Sequence, residues 1–311
     1  MNTKTGINVC SLFDGISVAR QTLKELNIPV NKYYASEIEK KAIEASSNNH
    51  DDIIQIGDIR NVDTSTLPHI DLLIGGSPCQ SLTSLRKNRT GLDSEDSGLF
   101  YEAVRILEEL KQVNPNIKFL FENVASMATS ERDKISEILG VQPIMICSSK
   151  LSPQMRKRYY WTNIPEVTQP IDKGIKFSDI IEHGYVDRDK SLVVLCKHLP
   201  QTYGGMKRYL TRGIGQTIFS DESYVIKRNK KSTWEIYNMN YENDGSTQII
   251  DGYKYVNGAR KLTITELCRL QGLDDHYMDN IAYTTAHKGL GNAFTLPVIS
   301  HILSFSDFPR K

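Results

Sequence analysis

The sequence predicts an α/β protein whose main domain is a doubly wound, mostly parallel sheet, joined by a second, smaller lobe. Three observations lead there. Short apolar runs alternate with amphipathic stretches through the first half, the rhythm of strand–helix–strand units. Several of those runs end in glycine or in an acidic residue, as strands do where a doubly wound sheet binds its ligands. After about residue 163 the rhythm breaks, and from Thr263 it returns. We therefore expect one domain over 1–163 and 261–311, and the smaller lobe over 164–260.

Taken in order, INVCSLF (7–13) reads as the first strand and VARQTLKELN (18–27) as the helix after it. YYASEI (33–38) is a second strand, followed by a helical stretch at about 39–47. IIQIGDI (53–59) holds a third strand, and DLLIGGS (71–77) a fourth that ends on two glycines. LFYEAVRILEELK (99–111) places Phe100, Val104, Leu107 and Leu110 on one helical face. FLFENV (119–124) and PIMICSS (143–149) complete the strands of the first half. In the second lobe Pro165 and Pro170 open a less regular stretch, with YGGMKR (203–208) read as a turn. TITELCRLQG (263–272) and GNAFTLPVISHILSF (291–305) are read as closing helices.

With 311 residues, 39% hydrophobic and 24% charged, the chain has room for a full enzyme core plus an accessory lobe. No apolar run approaches the ~20 residues of a membrane span, and the first residues lack the apolar core and cleavage site of a signal peptide. The five cysteines (10, 79, 147, 196 and 268) are scattered and form no C-x-x-C. That pattern points away from disulfides and zinc knuckles, and toward a reducing cytoplasm. Net charge is only +1, but residues 197–231 hold eight Lys or Arg against two acids. Residues 150–158 add four positive charges, and Arg86, Lys87 and Arg89 form a third cluster. Any one such cluster is usually a solvated face; three around one candidate site suggest a polyanionic partner.

The chemistry-bearing residues fall at the ends of the strands. GGSPCQS puts Cys79 on a loop after two glycines, with Pro78 stiffening its presentation. A free cysteine is most often a small buried hydrophobe, so Pro-Cys alone does not make a nucleophile. FENV delivers Glu122 and Asn123 to the same rim, where a carboxyl group is suited to hold or donate a proton. In QMRKR, a strand would set Arg156 and Arg158 on one side together with Gln154, two guanidinium groups suited to a carbonyl, carboxylate or phosphate. LFDGIS resembles a nucleotide-binding turn from which all but Gly15 of the glycine pattern is gone. Glu37 lies 22 residues after Gly15, where a ribose hydroxyl is gripped, and Asp58 suits an adenine amino group. Missing phosphate-binding glycines fit a ligand that carries adenosine without a pyrophosphate.

The order of these segments resembles the cytosine-5 DNA methyltransferase family over nearly the whole chain, the segment 164–260 excepted. LFDGIS is similar to the family's first motif, GGSPCQS to its Pro-Cys-Gln loop, FENV to its Glu-Asn-Val motif, and QMRKR to its Gln-x-Arg-x-Arg motif. GLGNAFTLPV is similar to the closing Gly-Asn…Pro-Val motif, and RKLTITELCRLQGL to the segment before it. LFDGI, YYASEI, GGSPC and FENVASM are particularly similar to the animal de novo DNA methyltransferases and their phage-borne relatives. Ser17 stands where the first motif usually has a second glycine.

The resemblance implies a Rossmann-like S-adenosylmethionine-dependent methyltransferase domain with a target-recognition lobe at 164–260. It implies that Cys79 is the nucleophile that attacks a cytosine flipped out of double-stranded DNA. Glu122 would hold the ring at N3 and the exocyclic amine, and Arg158 with Arg156 would bind the O2 side. Phe13, Gly15, Ile16, Glu37, Ile38, Asp58, Ile59, Pro78, Leu99 and Asn292 would line the cofactor site. The expected setting is restriction modification or phage self-protection by a cytoplasmic, monomeric enzyme that needs no metal and no membrane. Two rivals stand beside it: a tRNA cytosine-5 methyltransferase of the same fold, and a catalytically inactive DNA-binding homologue. In the smaller lobe Tyr203, Tyr209, Phe219 and Tyr224 accompany the basic window.

Overall fold

A computed structural model describes residues 6–78, 98–195, 200–222 and 246–311. The chain divides into two compact units: residues 1–147, 157–170 and 293–311 form the first, and 148–156 with 171–292 the second.

The first unit is built on a seven-stranded sheet. Its strands are β1 (Ile7–Leu12), β2 (Val30–Ser36), β3 (Ile53–Gln55), β4 (Leu72–Gly76), β5 (Lys118–Val124), β6 (Ile144–Cys147) and β7 (Lys157–Thr162). They lie in the order β3-β2-β1-β4-β5-β7-β6, parallel except for β7, which runs antiparallel to both neighbours. Helices α1 (Val18–Glu25), α2 (Lys40–Ser47), α3 (Gly98–Val113), α4 (Thr129–Leu139) and α8 (Leu296–Leu303) complete the unit. The central strands are almost wholly buried because crossover helices cover a parallel sheet on both faces. On one face Cys10, Leu12, Leu73, Phe119, Phe121 and Trp161 join Phe100, Ile106, Leu107 and Leu110 of α3 and Ile135 and Leu139 of α4 in one apolar cluster. Elsewhere in the unit α1 packs against α8, whose Pro297 sits in the first turn, where a missing N–H costs nothing.

The sheet strands fall where the apolar runs predict them, except β7, which comes from the segment read for its arginines. It is fastened to β5 by side chains as well as by the ladder. Phe119 N–H donates to Asn163 Oδ1 (2.9 Å), Asn163 Nδ2 to Ile117 O (2.8 Å), and Trp161 Nε1 to Ser136 Oγ (2.9 Å).

The second unit holds α5 (Tyr203–Arg212), α6 (Ile264–Gln271), α7 (Tyr283–Asn292) and four short strands, β8 (Ile218–Phe219), β9 (Thr247–Ile250), β10 (Tyr253–Val256) and β11 (Ala259–Arg260). These four form an antiparallel sheet in the order β8-β11-β10-β9. YGGMKR, read as a turn, instead opens α5. Thr202 caps it by accepting from Gly205 N–H at 3.1 Å, and Met206, Tyr209 and Leu210 bury one face at helical spacing. Gly213 ends it in the left-handed region, φ 62°. The glycine pair favours a turn locally, and burial of the apolar face outweighs that preference. Thr263 and Glu266 form the capping box of α6. Glu266, fully buried, also accepts both guanidinium nitrogens of buried Arg260, at 2.6 and 2.7 Å, and the Glu182 N–H at 2.8 Å. Among the described residues no helix is long and apolar enough to cross a membrane.

Two outcomes follow for stability. Replacing Glu266 with Ala strands a buried guanidinium, and should destabilise the second unit by about 3–5 kcal/mol in a denaturant melt. Burial, reinforced by the Arg20 guanidinium, pushes the His50 ring down to about 4 from 6.5. The fold thus accommodates the neutral ring, a contribution present above pH 6.5 and lost as pH falls through about 4. His50→Gln should show a smaller loss of stability than the parent between those two pH values, read from urea midpoints.

Candidate functional site

The ends of β1, β2, β4 and β5 gather most of the sequence-predicted residues of the first unit. After β1 the chain turns through Phe13 (φ 56°), Asp14, Gly15 (φ 58°), buried Ile16 and Ser17 (φ 61°) before entering α1. Left-handed backbone at Phe13 and Ser17 is strained for residues with a Cβ, so the turn is over-determined by its partners. Glu37, the residue after β2, supplies one of them. Its Oε2 accepts Gly15 N–H at 2.9 Å, and its Oε1 accepts the N–H groups of Ile38 and Glu39 at 2.7 and 2.8 Å. The carboxylate is tied to backbone on both sides, and Oε2, with one donor, keeps acceptor capacity for a ligand hydroxyl. Beside it the Ile38 side chain stands 67% exposed, an apolar surface left open at the strand end.

Asp14 supplies the other restraint, and sequence reasoning missed it. Its carboxylate accepts from Tyr33 Oη (2.7 Å) and from Ser17 Oγ, and Ser17 Oγ in turn lies 2.5 Å from Ser46 Oγ. Burial raises the carboxyl above the usual range, against those hydrogen bonds, and the negative charge of Glu37 adds to the rise. Two acids therefore border one turn, and among the described residues neither takes a cation as a hydrogen-bond partner. The signal in the sequence was an acid inside a glycine turn, LFDG, three residues before a serine.

Asp58 does not end a strand: β3 stops at Gln55, and Asp58 caps the short 3₁₀ turn Ile59–Asn61. Its carboxylate takes Arg60 Nε at 3.0 Å and Arg60 N–H at 3.0 Å, and the guanidinium beside it holds the carboxyl below the ordinary range. Ile59 is buried behind it. Leu99, half-buried, lies in the first turn of α3, and Pro78 is half-buried two residues beyond β4.

Glu122 emerges from β5 on the face opposite Phe119 and Phe121. In the ladder it pairs with Gly76, the last residue of β4, and with Tyr160 of β7. Its Oε1 lies 2.6 Å from Arg158 Nε, with both side chains little exposed. A side chain at position 76 would meet Glu122 Oε2 and the Phe294 ring at 3.1 Å, and one at position 75 would strike Leu12 O at 2.9 Å. The paired glycines thus have separate reasons: Gly75 lets β1 pass, and Gly76 keeps room for the carboxylate. Asn123, on the other face, donates to Ser77 Oγ at 3.1 Å and accepts the Val124 N–H, bracing the loop that leads to Pro78. Cys79 lies outside the described residues, as do Arg86, Lys87, Arg89, Lys197 and Tyr224.

Arg156 and Arg158 do not share a strand face. β7 begins at Lys157, so the alternation expected across 154–158 never forms. Met155 N–H bonds Ser191 O at 2.7 Å instead of a sheet neighbour, and Arg156, 3% exposed, donates from Nη1 to Gly291 O at 2.9 Å inside the second unit. Arg158 belongs to the first unit and Glu122. Asn292, exposed, ends α7 in the second unit.

Comparison with known proteins adds the following. The family model "C-5 cytosine-specific DNA methylase" matches residues 7–141 and 152–305. The Type II methyltransferase M1.ScrFI of Lactococcus lactis subsp. cremoris is 26% identical over 97% of this chain and 78% of its own length. The orphan methyltransferase M.SPRI of Bacillus phage SPR is 27% identical over 97% of this chain and 71% of its own. Among solved structures, the S. pombe Dnmt2 methyltransferase shares the fold with a TM-score of 0.64 at 19% identity, covering 96% of this chain and 97% of that one.

The turn offers a direct measurement. Glu37→Ala removes the acceptor for Gly15 N–H, worth about 1–1.5 kcal/mol, so that amide should exchange with solvent deuterium roughly tenfold faster, while amides in β5 keep their rates.

Proposed function

Because the chain belongs to the C-5 cytosine-specific DNA methylase family, we propose that it methylates carbon 5 of a cytosine flipped out of duplex DNA, with S-adenosylmethionine as donor and Cys79 as nucleophile. The single observation that carries the reading is the Glu122–Arg158 pair set in register beside Gly76. Cys79 follows Gly76 by three residues in sequence, a chain reach of at most about 10 Å, which supports a thiol that can meet the carboxylate.

The two-acid turn suits the donor's sulfonium charge, and the open Ile38 side chain suits an adenine face. Phe13, Gly15, Ile16, Glu37, Ile38, Asp58, Ile59, Pro78 and Leu99 would hold the molecule, Glu37 taking the ribose hydroxyls. When bound, S-adenosylmethionine supplies an electrophilic methyl group. The protein's own work is to make carbon 5 able to accept it. The Cys79 thiolate forms a bond to carbon 6, and the displaced electron pair enriches carbon 5. Glu122 holds N3 and the exocyclic amine and delivers a proton to N3 as charge develops there. Arg158 holds Oε1, and Oε2 lies beside Gly76, so the pair orients the carboxyl for that contact. With the methyl in place, a base takes the carbon 5 proton and the carbon–sulfur bond breaks, returning the thiolate. Residues 164–260 are the target-recognition region, and the setting is restriction modification or phage self-protection.

Labelled methyl transfer to duplex DNA and to tRNA tests the reading. Duplex DNA should be the substrate, and Cys79→Ala should lower turnover by several orders of magnitude while the donor still binds. The parent chain should also form a covalent complex with duplex DNA containing 5-fluorocytosine, because fluorine blocks the final elimination, and Cys79→Ala should not. Undiminished turnover in Cys79→Ala would refute the assignment.

A further inference from the structure

We propose that the exposed face of α5 is a contact surface for the sugar–phosphate backbone of duplex DNA, an inference that rests on the function proposed above. Met206, Tyr209 and Leu210 are buried, so the helix has a defined inner face. Its outer stripe is Gly204, Lys207, Arg208, Thr211 and Arg212, at spacings of three and four residues. Three of the five are cationic, one carries no side chain, one carries a hydroxyl, and the helix contains no acid.

Pairing sets Arg208 and Arg212 apart from most other described arginines, Arg156 and Arg310 excepted, which donate to backbone carbonyls. Arg20, Arg60, Arg105, Arg132, Arg158, Arg188, Arg260 and Arg269 each sit against a carboxylate. Among the described residues Arg208 and Arg212 have no such partner, nor has Lys207, and Arg208 Nε is enclosed without an acceptor. The helix dipole accounts for a cation in the last turn, which covers Arg212 and leaves the two others unexplained. Gly204, which lies 3.8 Å from the Arg208 guanidinium by the position a Cβ would take, lets a bulky anion approach that end of the stripe. Lys207 to Arg212 spans about 7.5 Å of helix axis. At about 3.4 Å of duplex axis per phosphate on one strand, that length matches two or three phosphates. A polyanion with regular charge spacing is the complement of this face.

The test is the salt dependence of binding to a labelled random-sequence DNA duplex, read by fluorescence anisotropy on the full chain. Lys207→Gln combined with Arg212→Gln removes two exposed charges and should raise Kd roughly tenfold at low salt. It should also flatten the slope of log K against log salt by about 2, since each neutralised phosphate contributes roughly 0.9 to that slope. The charge-preserving pair Lys207→Arg and Arg212→Lys should keep the parental slope, which separates the effect of charge from a failure to fold. Lys24→Gln with Lys32→Gln, both exposed in the first unit, removes the same net charge and should leave the slope near the parental value. An equal flattening there, or a parental slope in the α5 variant, overturns the proposal. Displacement of the duplex by tRNA at lower mass concentration than by unlabelled duplex also overturns it. If the parent chain methylates duplex DNA and the α5 variant binds as the parent does, this inference alone falls; if the parent does not bind duplex DNA, the proposed function falls with it.

Discussion

The hydrogen-bonded register of β1, β4 and β5 is the constraint on which the site depends. Leu12 pairs with Gly75, Gly75 with Phe121, and Gly76 with Glu122, so three strands from distant parts of the chain end in line. A one-residue slip in any pairing would turn Glu122 onto the apolar face under α3 and a phenylalanine onto the site. Burial on both faces penalises that slip heavily, since it would set a carboxylate among Phe100, Leu107 and Trp161. The same packing that stabilises the sheet therefore fixes the chemistry at its rim.

The antiparallel strand β7 adds what a purely parallel sheet cannot. It lies beside β5 and brings Arg158 within 2.6 Å of Glu122, across 36 residues of chain. The pairing commits one carboxylate oxygen, and the other lies beside Gly76, where a side chain would crowd it. At the neighbouring turn the opposite arrangement holds. Asp14 is restrained by hydroxyls and Glu37 by backbone N–H groups, and among the described residues neither is hydrogen-bonded to a cation.

Much of this was legible in the sequence because it is local. Apolar runs and helical spacing marked β1, β2, β4, β5, β6, α1 and α3, and the return of helical spacing from Thr263 marked α6. The motifs marked Gly15, Glu37 and Glu122, each at or beside a strand end. Less was legible where a residue's role depends on a distant partner. Nothing beside Asp14 in the sequence points to Tyr33, 19 residues on, whose hydroxyl restrains its carboxylate.

The sequence by itself determined the family, the strand–helix rhythm and the chemical groups brought to the strand ends, since all three reside in residue type and short-range spacing. Only the tertiary structure decided which of those groups meet. It gave Arg158 to Glu122 and sent Arg156 to Gly291, although a single residue separates the two arginines. It also made a helix of the glycine pair at 204–205, where local preference favoured a turn and burial of Met206, Tyr209 and Leu210 prevailed. The reason is the same in each case: pairing between strands and burial against a core are long-range, and their free energies exceed the preferences that a single stretch of chain expresses alone.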